Sequence, residues 1–268
     1  MIQNIHNHIA GKNGEVTRNR NEKMKFIFGI VNTVQIILII LWTALCGILG
    51  MVLMLITWNG KWVHHVNGRY MWSPFVCLIT GVRVKVQGLE KINKNKSFIY
   101  ISNHESHFDI LALSRVMPVG LFFIAKKELS RIPIMGQYMN FIGHIFVDRG
   151  NKENARKSMI IAADKIKAGK NVISFPEGTR SKTGEVQLFK RGAFMVAKEG
   201  AVDIVPIGIQ GSREVLASGK FNIRPGIIYV RIGDVIQAST FTNMSIEQLA
   251  DTCRQKVITL KATARQSS

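Results

Sequence analysis

A chain of 268 residues with 47% hydrophobic content has the apolar material for one or two domains with a large core. Lys and Arg outnumber Asp and Glu by 36 to 17, a formal charge of +19, so the surface asks for an anionic partner, nucleic acid or an anionic membrane. The three cysteines, Cys46, Cys77 and Cys253, lack paired or C-x-x-C spacing, which excludes a disulfide framework and a cysteine metal site and suits a reducing compartment.

Residues 1–25 are polar and carry Lys12, Arg18, Arg20, Lys23 and Lys25 without apolar periodicity, the pattern of a basic, flexible tail. Residues 26–60 then run without a single charge, as no soluble helix does. The stretch is too long for the apolar core of a cleaved signal peptide. As one helix it would measure about 52 Å against a hydrocarbon core of about 30 Å, yet two full crossings need about 40 apolar residues. It is therefore a membrane-embedded helix or a helical hairpin, with Gly47 and Gly50 as the place for a bend. The basic residues before it, against Lys61 and Arg69 just after it, put the N-terminus in the cytoplasm.

Residues 61–268 read as the globular part. Trp62, Tyr70, Trp72 and Phe75, mixed with His64, His65 and Arg69, suit either an interfacial belt or a buried aromatic cluster. Strands are expected over 82–86, 98–101, 121–125, 145–147, 171–175, 201–209 and 227–232. Helices are expected over 110–117, 134–141, 153–168, 189–199 and 246–264. This alternation predicts an α/β fold, a largely parallel central sheet flanked by helices, behind an N-terminal membrane-embedded helical segment.

Between the second strand and the helix after it lies Asn103-His104-Glu105-Ser106-His107-Phe108-Asp109. On a continuous helix His104 and Asp109 would stand about 140° apart, but they can meet if His104 sits on the turn and Asp109 in the first helical turn. The carboxylate would then fix the imidazole tautomer and leave the other ring nitrogen as a base, with a substrate hydroxyl in the place a catalytic serine takes. Ser106 and Asp109 equally fit a capping box, which would leave His104 an ordinary loop histidine. H-E-S-H is one residue short of the zincin H-E-x-x-H, and no metal is assigned. The chain has no G-x-S-x-G, G-x4-G-K-[ST] or G-x-G-x-x-G motif, and its basic residues are dispersed rather than gathered with stacking aromatics, so nucleic acid is not the expected partner.

These residues resemble a known family. N-H-E-S-H-F-D is similar to the N-H-x4-D signature of the glycerolipid acyltransferases. Further blocks follow in family order: 125–129 with Ile132, Pro133 and Gly136, then 143–149, then Phe175-Pro176-Glu177-Gly178-Thr179-Arg180-Ser181, then 189–194 and 205–207. The 125–136 block resembles the segment typical of 1-acylglycerol-3-phosphate acyltransferases, and the likeness covers roughly residues 75–235.

The resemblance implies a cofactor-free acyl transfer from a thioester, acyl-CoA or acyl-carrier protein, to the sn-2 hydroxyl of lysophosphatidic acid, giving phosphatidic acid, with His104 as base and Asp109 as its partner. It also implies that Arg180, with Lys126 and Arg149, holds the acceptor phosphate, and that Glu177, Gly178 and Thr179 shape the same pocket; Glu177 could do so by pairing with one of these cations. Lys127 and Lys190 compete with Lys126 for its role. Arginine suits a phosphate because its planar fork donates two bonds at once. Another acceptor, glycerol 3-phosphate or a lyso-aminolipid, or a non-catalytic lipid-binding module, are the alternatives. A thioester donor is cytosolic, so the catalytic domain belongs on the cytoplasmic face of the membrane, which favours a hairpin over a single span.

Overall fold

The computed structural model describes residues 2–148, 150 and 152–266, with side chains for all of these except 2–21, 152, 155 and 156. The chain divides into two units that meet in sequence at Ile40 and Leu41. Helix α1 (Ile2–Thr57) contributes to both. No proline interrupts it, so nothing breaks the backbone ladder, and the tail expected to be flexible is helical from residue 2 onward. In the first unit Phe26, Ile27, Phe28, Ile30 and Val34 are exposed all round the helix. The stretch Glu22–Thr57, 36 residues containing an 18-residue window of mean hydropathy 2.8, is the one helix among the described residues long and apolar enough to cross a membrane.

The expected bend at Gly47 and Gly50 is absent. α1 continues through both, and the chain turns at Trp58 and Asn59, where Trp58 takes φ +52° and Asn59 Oδ1 accepts the N–H of Trp62 at 3.1 Å. That cap starts α2 (Gly60–Val66), which runs into a π-helical turn (Asn67–Trp72) and α3 (Ser73–Thr80). The glycines serve close approach instead. Any side chain at Gly50 would overlap the Asn67 amide and the Tyr138 ring, and a Cβ at Gly47 would lie 3.1 Å from Ile134 Cγ2. Asn67 Nδ2 donates to Cys46 O at 2.7 Å, Trp72 Nε1 donates to Thr43 Oγ1 at 2.9 Å, and Trp42 stacks on Phe75 at 4.4 Å. Trp62 and Tyr70 face outward, so the aromatic set divides between packing and exposed surface.

All seven expected strands form: β1 (Val82–Gln87), β2 (Ile99–Ser102), β3 (Leu121–Lys126), β4 (Ile145–Val147), β5 (Asn171–Ser174), β6 (Ile204–Gln210) and β7 (Gly226–Ile232). They make one sheet in the order β1-β7-β6-β2-β5-β3-β4, parallel at every pair except β6 with β7. β2 and β5 are buried on both faces, which is why they read as unbroken apolar runs, whereas the edge strand β1 alternates valine with Arg83 and Lys85.

Strand residues alternate between faces. Ile99 and Ile101 of β2 pack into a core with Ile166 of α6 (Lys152–Lys167), Phe194 of α7 (Gly192–Glu199) and Leu249, Cys253 and Val257 of α9 (Ile246–Thr263). Fully burying one such side chain stabilises the fold by about 1.5–3 kcal/mol. The other layer is α3, α4 (Phe108–Val116) and α8 (Ser212–Val215), while α5 (Met135–Ile142) lies against α2. Because β6, β2, β5, β3 and β4 run in one direction, the loops leaving their carboxyl ends share one rim, where open α/β sheets bind ligands.

Candidate active site

The loop from β2 into α4 brings His104 and Asp109 together. His104 Nδ1 donates to Asp109 Oδ2 at 2.7 Å, and the same oxygen accepts the backbone N–H of Glu105 at 2.7 Å and of Ser106 at 2.9 Å. The dyad forms and the capping box does not: Ser106 Oγ accepts the N–H of Phe108 at 3.1 Å rather than that of Asp109, and Asp109 binds both the imidazole and the backbone leading into α4. A carboxylate oxygen with three charge-assisted bonds, each contributing about 1.5–3 kcal/mol, is fixed in place, and Asp109 is fully buried. His104 keeps 16% of its side chain exposed, and its ring stacks on Phe175 at 4.2 Å and 16°. With Nδ1 engaged by the carboxylate, Nε2 is the nitrogen free to take a proton.

The loop after β5 supplies the second wall. Glu177 is buried, and it pairs with backbone amides rather than with the cation expected from sequence: Oε1 accepts the N–H of His104 at 2.6 Å and Oε2 that of Gln187 at 3.1 Å. Burial pushes its carboxyl up from the usual range, and those two bonds oppose the rise. Ser181 N–H donates back to His104 O at 2.8 Å, so the two loops are laced by backbone bonds. Gly178 takes φ +74°, a left-handed conformation that glycine adopts without strain, and the Lys190 ammonium lies where its side chain would be.

Thr179 is exposed, Arg180 is half-buried, and Arg180 has no ion pair among the described residues. Desolvation, and after it the nearby Arg180 charge, hold His107 below the ordinary imidazole value, which sets the guanidinium beside the turn that carries His104. Lys126 ends β3 on the same rim, but its ammonium pairs with Glu128 at 3.0 Å, and Lys127 pairs with Asp148 at 3.2 Å. Arg149 lies outside the described residues. Of the three lysines weighed from sequence, Lys190 is the one over the Gly178 turn.

Two partners of the turn escaped the sequence reading. Glu105, 3% exposed, forms an ion pair with Lys261 of α9, and Asn103 Nδ2 donates to Glu105 Oε1 at 3.1 Å and to Ile209 O at 2.9 Å. Nothing in a polar, exposed-looking C-terminal helix signals that one of its lysines reaches a buried carboxylate.

Residues 83–210 match the Acyltransferase family. The 1-acyl-sn-glycerol-3-phosphate acyltransferase of Saccharomyces cerevisiae is 34% identical over 237 residues, covering 84% of this chain and 76% of that protein. The protein of the same name from Limnanthes douglasii is 34% identical over 211 residues, 76% of this chain and 72% of its own length. The crystal structure of the 1-acyl-sn-glycerophosphate (LPA) acyltransferase, PlsC, from Thermotoga maritima shares the fold, with a TM-score of 0.77 at 24% identity over 90% of this chain and 96% of that one.

Proposed function

The chain belongs to the acyltransferase family of the 1-acyl-sn-glycerol-3-phosphate acyltransferases and is itself an acyltransferase, and from that premise we propose its substrates and its mechanism. The acyl group leaves a thioester, acyl-CoA or acyl-carrier protein, and is received by the sn-2 hydroxyl of 1-acylglycerol 3-phosphate, giving phosphatidic acid. The observation that carries the mechanism is the 2.7 Å bond from His104 Nδ1 to Asp109 Oδ2 on the carboxyl rim of the sheet.

His104 Nε2 takes the proton of the sn-2 hydroxyl as that oxygen attacks the thioester carbonyl carbon. A carbon–oxygen bond forms and the carbonyl becomes a tetrahedral oxyanion. Its collapse breaks the carbon–sulfur bond, and the departing thiolate takes the proton back from His104. Asp109 holds the tautomer and stabilises the imidazolium between the two steps. The acceptor phosphate sits against Arg180 and Lys190, which have no carboxylate partner among the described residues, with Lys126 on the same rim and Arg149 as a further cation that the resemblance implies; Gly178 and Thr179 line the turn that approaches it. The enzyme is membrane-bound, with its catalytic domain at the cytoplasmic face, where both the thioester and the lysolipid of the inner leaflet are within reach.

The test is turnover with acyl-CoA and acyl-carrier protein as donors and with 1-acylglycerol 3-phosphate, glycerol 3-phosphate and a lyso-aminolipid as acceptors. Acylation of the first acceptor is expected, with a loss of at least about a hundredfold in His104→Ala and most turnover retained in His107→Ala. Equal loss in the two variants refutes the base assignment, and preference for another acceptor refutes the substrate.

A further inference from the structure

Glu105 follows the catalytic histidine directly, and its backbone N–H is one of the three donors on Asp109 Oδ2. Its side chain turns away into the protein, 4% exposed, and meets the Lys261 ammonium, which is 17% exposed and also donates to Gly184 O. α9 comes close enough for this because residue 208 is glycine. A Cβ there would lie 2.5 Å from the Leu260 carbonyl carbon and would collide with the Lys261 backbone. The Val205-Pro206-Ile207-Gly208 block thus ends in a glycine whose absent side chain admits the helix turn that bears Lys261. Asn103 closes the arrangement, bonding Glu105 Oε1 on one side and exchanging two hydrogen bonds with the Ile209 backbone on the other.

Three buried carboxylates, Glu105, Asp109 and Glu177, lie in or against the turn that carries His104. Asp109 touches the ring and Glu177 the backbone of His104, and the charges of Glu105 and Glu177 act on each other. On the open side stand His107, Arg180 and Lys190. On the buried side the ammonium is Lys261; its neighbour on the same helix end, Arg265, is engaged by Glu214. A buried carboxylate without a partner is costly enough to be driven toward its protonated form. Burial already raises Glu105, and the bond and charge of Lys261 oppose that.

We infer that Lys261 is a positioning residue for acyl transfer: its ammonium, carried by α9, neutralises Glu105 beneath the catalytic turn and so sets the electrostatic field in which His104 exchanges its proton. The inference rests on His104 as the base. A plain structural tether would cost turnover equally at every pH when cut. A field-setting pair acts on the acidic limb of the pH profile with a sign that depends on which charge is lost. Over the pH range in which Glu105 stays ionised, removing Lys261 leaves a negative charge on the buried side of the turn and favours the imidazolium; removing Glu105 leaves a positive charge and disfavours it.

The experiment is the pH dependence of kcat/KM for the full-length protein in detergent, with acyl-CoA and 1-acylglycerol 3-phosphate, for Lys261→Met, Glu105→Gln, the double variant and Lys261→Arg. The acidic limb should move up by about half a pH unit in Lys261→Met, down by a similar amount in Glu105→Gln, and return in the double variant. Lys261→Arg, which keeps the charge, should hold the limb in place. If Lys261→Met does not fold, Glu105→Gln against the double variant carries the same comparison. Limbs unmoved in every single variant that folds, with turnover lowered in parallel at all pH values, overturn the inference. His104→Ala run alongside separates the two failures: if it keeps its turnover the base assignment is wrong, whereas an inactive His104→Ala with unmoved limbs removes only the role of Lys261.

Discussion

One carboxylate, that of Glu177, accepts the backbone N–H of His104 at 2.6 Å and that of Gln187 at 3.1 Å, so it clamps the turn that carries the imidazole to the loop that carries Arg180. Both acceptors are needed. In Glu177→Gln one oxygen remains and an amide donor faces the second N–H, leaving a buried donor unsatisfied at about 1–3 kcal/mol. If that cost is felt in the transition state, kcat falls about tenfold or more with KM for both substrates within about twofold. Steady-state kinetics on Glu177→Gln and Glu177→Asp would show it. Full turnover in the aspartate variant, which is too short to reach both amides, would make Glu177 incidental.

The placement of His104 and Asp109 was legible because their chemistry is local, five residues on a strand-to-helix turn whose flanks have clear periodicity. All seven strands were legible for the same reason, each being an apolar or alternating run ended by polar or glycine residues. Where the cause lies across the fold, sequence was silent or misleading. Gly47 and Gly50 look like a bend in an apolar helix, yet they are the points where α1 meets Ile134, Asn67 and Tyr138. The 60–80 stretch mixes aromatic and basic residues without one period, because the helix there is interrupted by a π turn and packs on α1, α4, α5 and β1. Glu177 looked like a partner for a cation, since no pattern of residues reveals that two backbone amides converge on it.

Arg180 and Lys190 flank the Gly178 turn, and neither has a carboxylate partner among the described residues. Lysine keeps the charge of arginine but not its two-pronged geometry, so Arg180→Lys should raise KM for 1-acylglycerol 3-phosphate about tenfold and leave KM for the thioester within about twofold. Lys190→Ala should act in the same direction. Lys126→Ala, whose loss releases only an exposed pair with Glu128, should have the smallest effect of the three. Initial rates with each substrate varied in turn decide it; an unchanged acceptor KM in Arg180→Lys would take Arg180 out of the phosphate site.

His64 and His144 lie edge to face at 4.7 Å beneath β3, where His64 Nε2 donates to Leu121 O at 2.7 Å and His144 Nδ1 accepts the N–H of Phe123 at 2.9 Å. Burial, aided by the charges of His65 and Lys170 and opposed by the Leu121 bond, pushes His64 down to about 4 from 6.5, and burial lowers His144 well below its ordinary value too. The unfolded chain takes up these protons near 6.5 while the folded chain resists them. The stability contributed is therefore complete above 6.5 and is lost as pH falls toward 4. The urea midpoint should drop across that window, and His64→Gln, which keeps a donor for Leu121 O, should drop less steeply. Parallel slopes for the two proteins would dismiss the histidines as the cause.

The last prediction concerns how α1 meets the bilayer. Residues 41–57 expose Leu41, Leu45, Ile48, Val52 and Leu55 in a single stripe, while the opposite side is taken up by Asn67, Phe75, Ile134 and Tyr138. Lipid can surround the whole helix over the charge-free residues 26–40, about 22 Å at 1.5 Å each, and can meet its exposed apolar stripe over residues 41–57. The proposed cytoplasmic catalytic domain requires α1, continuous from residue 2 to residue 57, to lie along the membrane face rather than to cross, which keeps the basic N-terminal residues and the domain on the side where the thioester is. The measurement is labelling of single cysteines by an impermeant reagent on intact cells, in a protein whose Cys46, Cys77 and Cys253 have been replaced. One reporter sits within residues 1–25 and one near the C-terminus. Both should be protected until the cells are lysed. Labelling of the C-terminal reporter alone would establish a full span, place His104 on the far side of the membrane, and exclude a cytosolic donor.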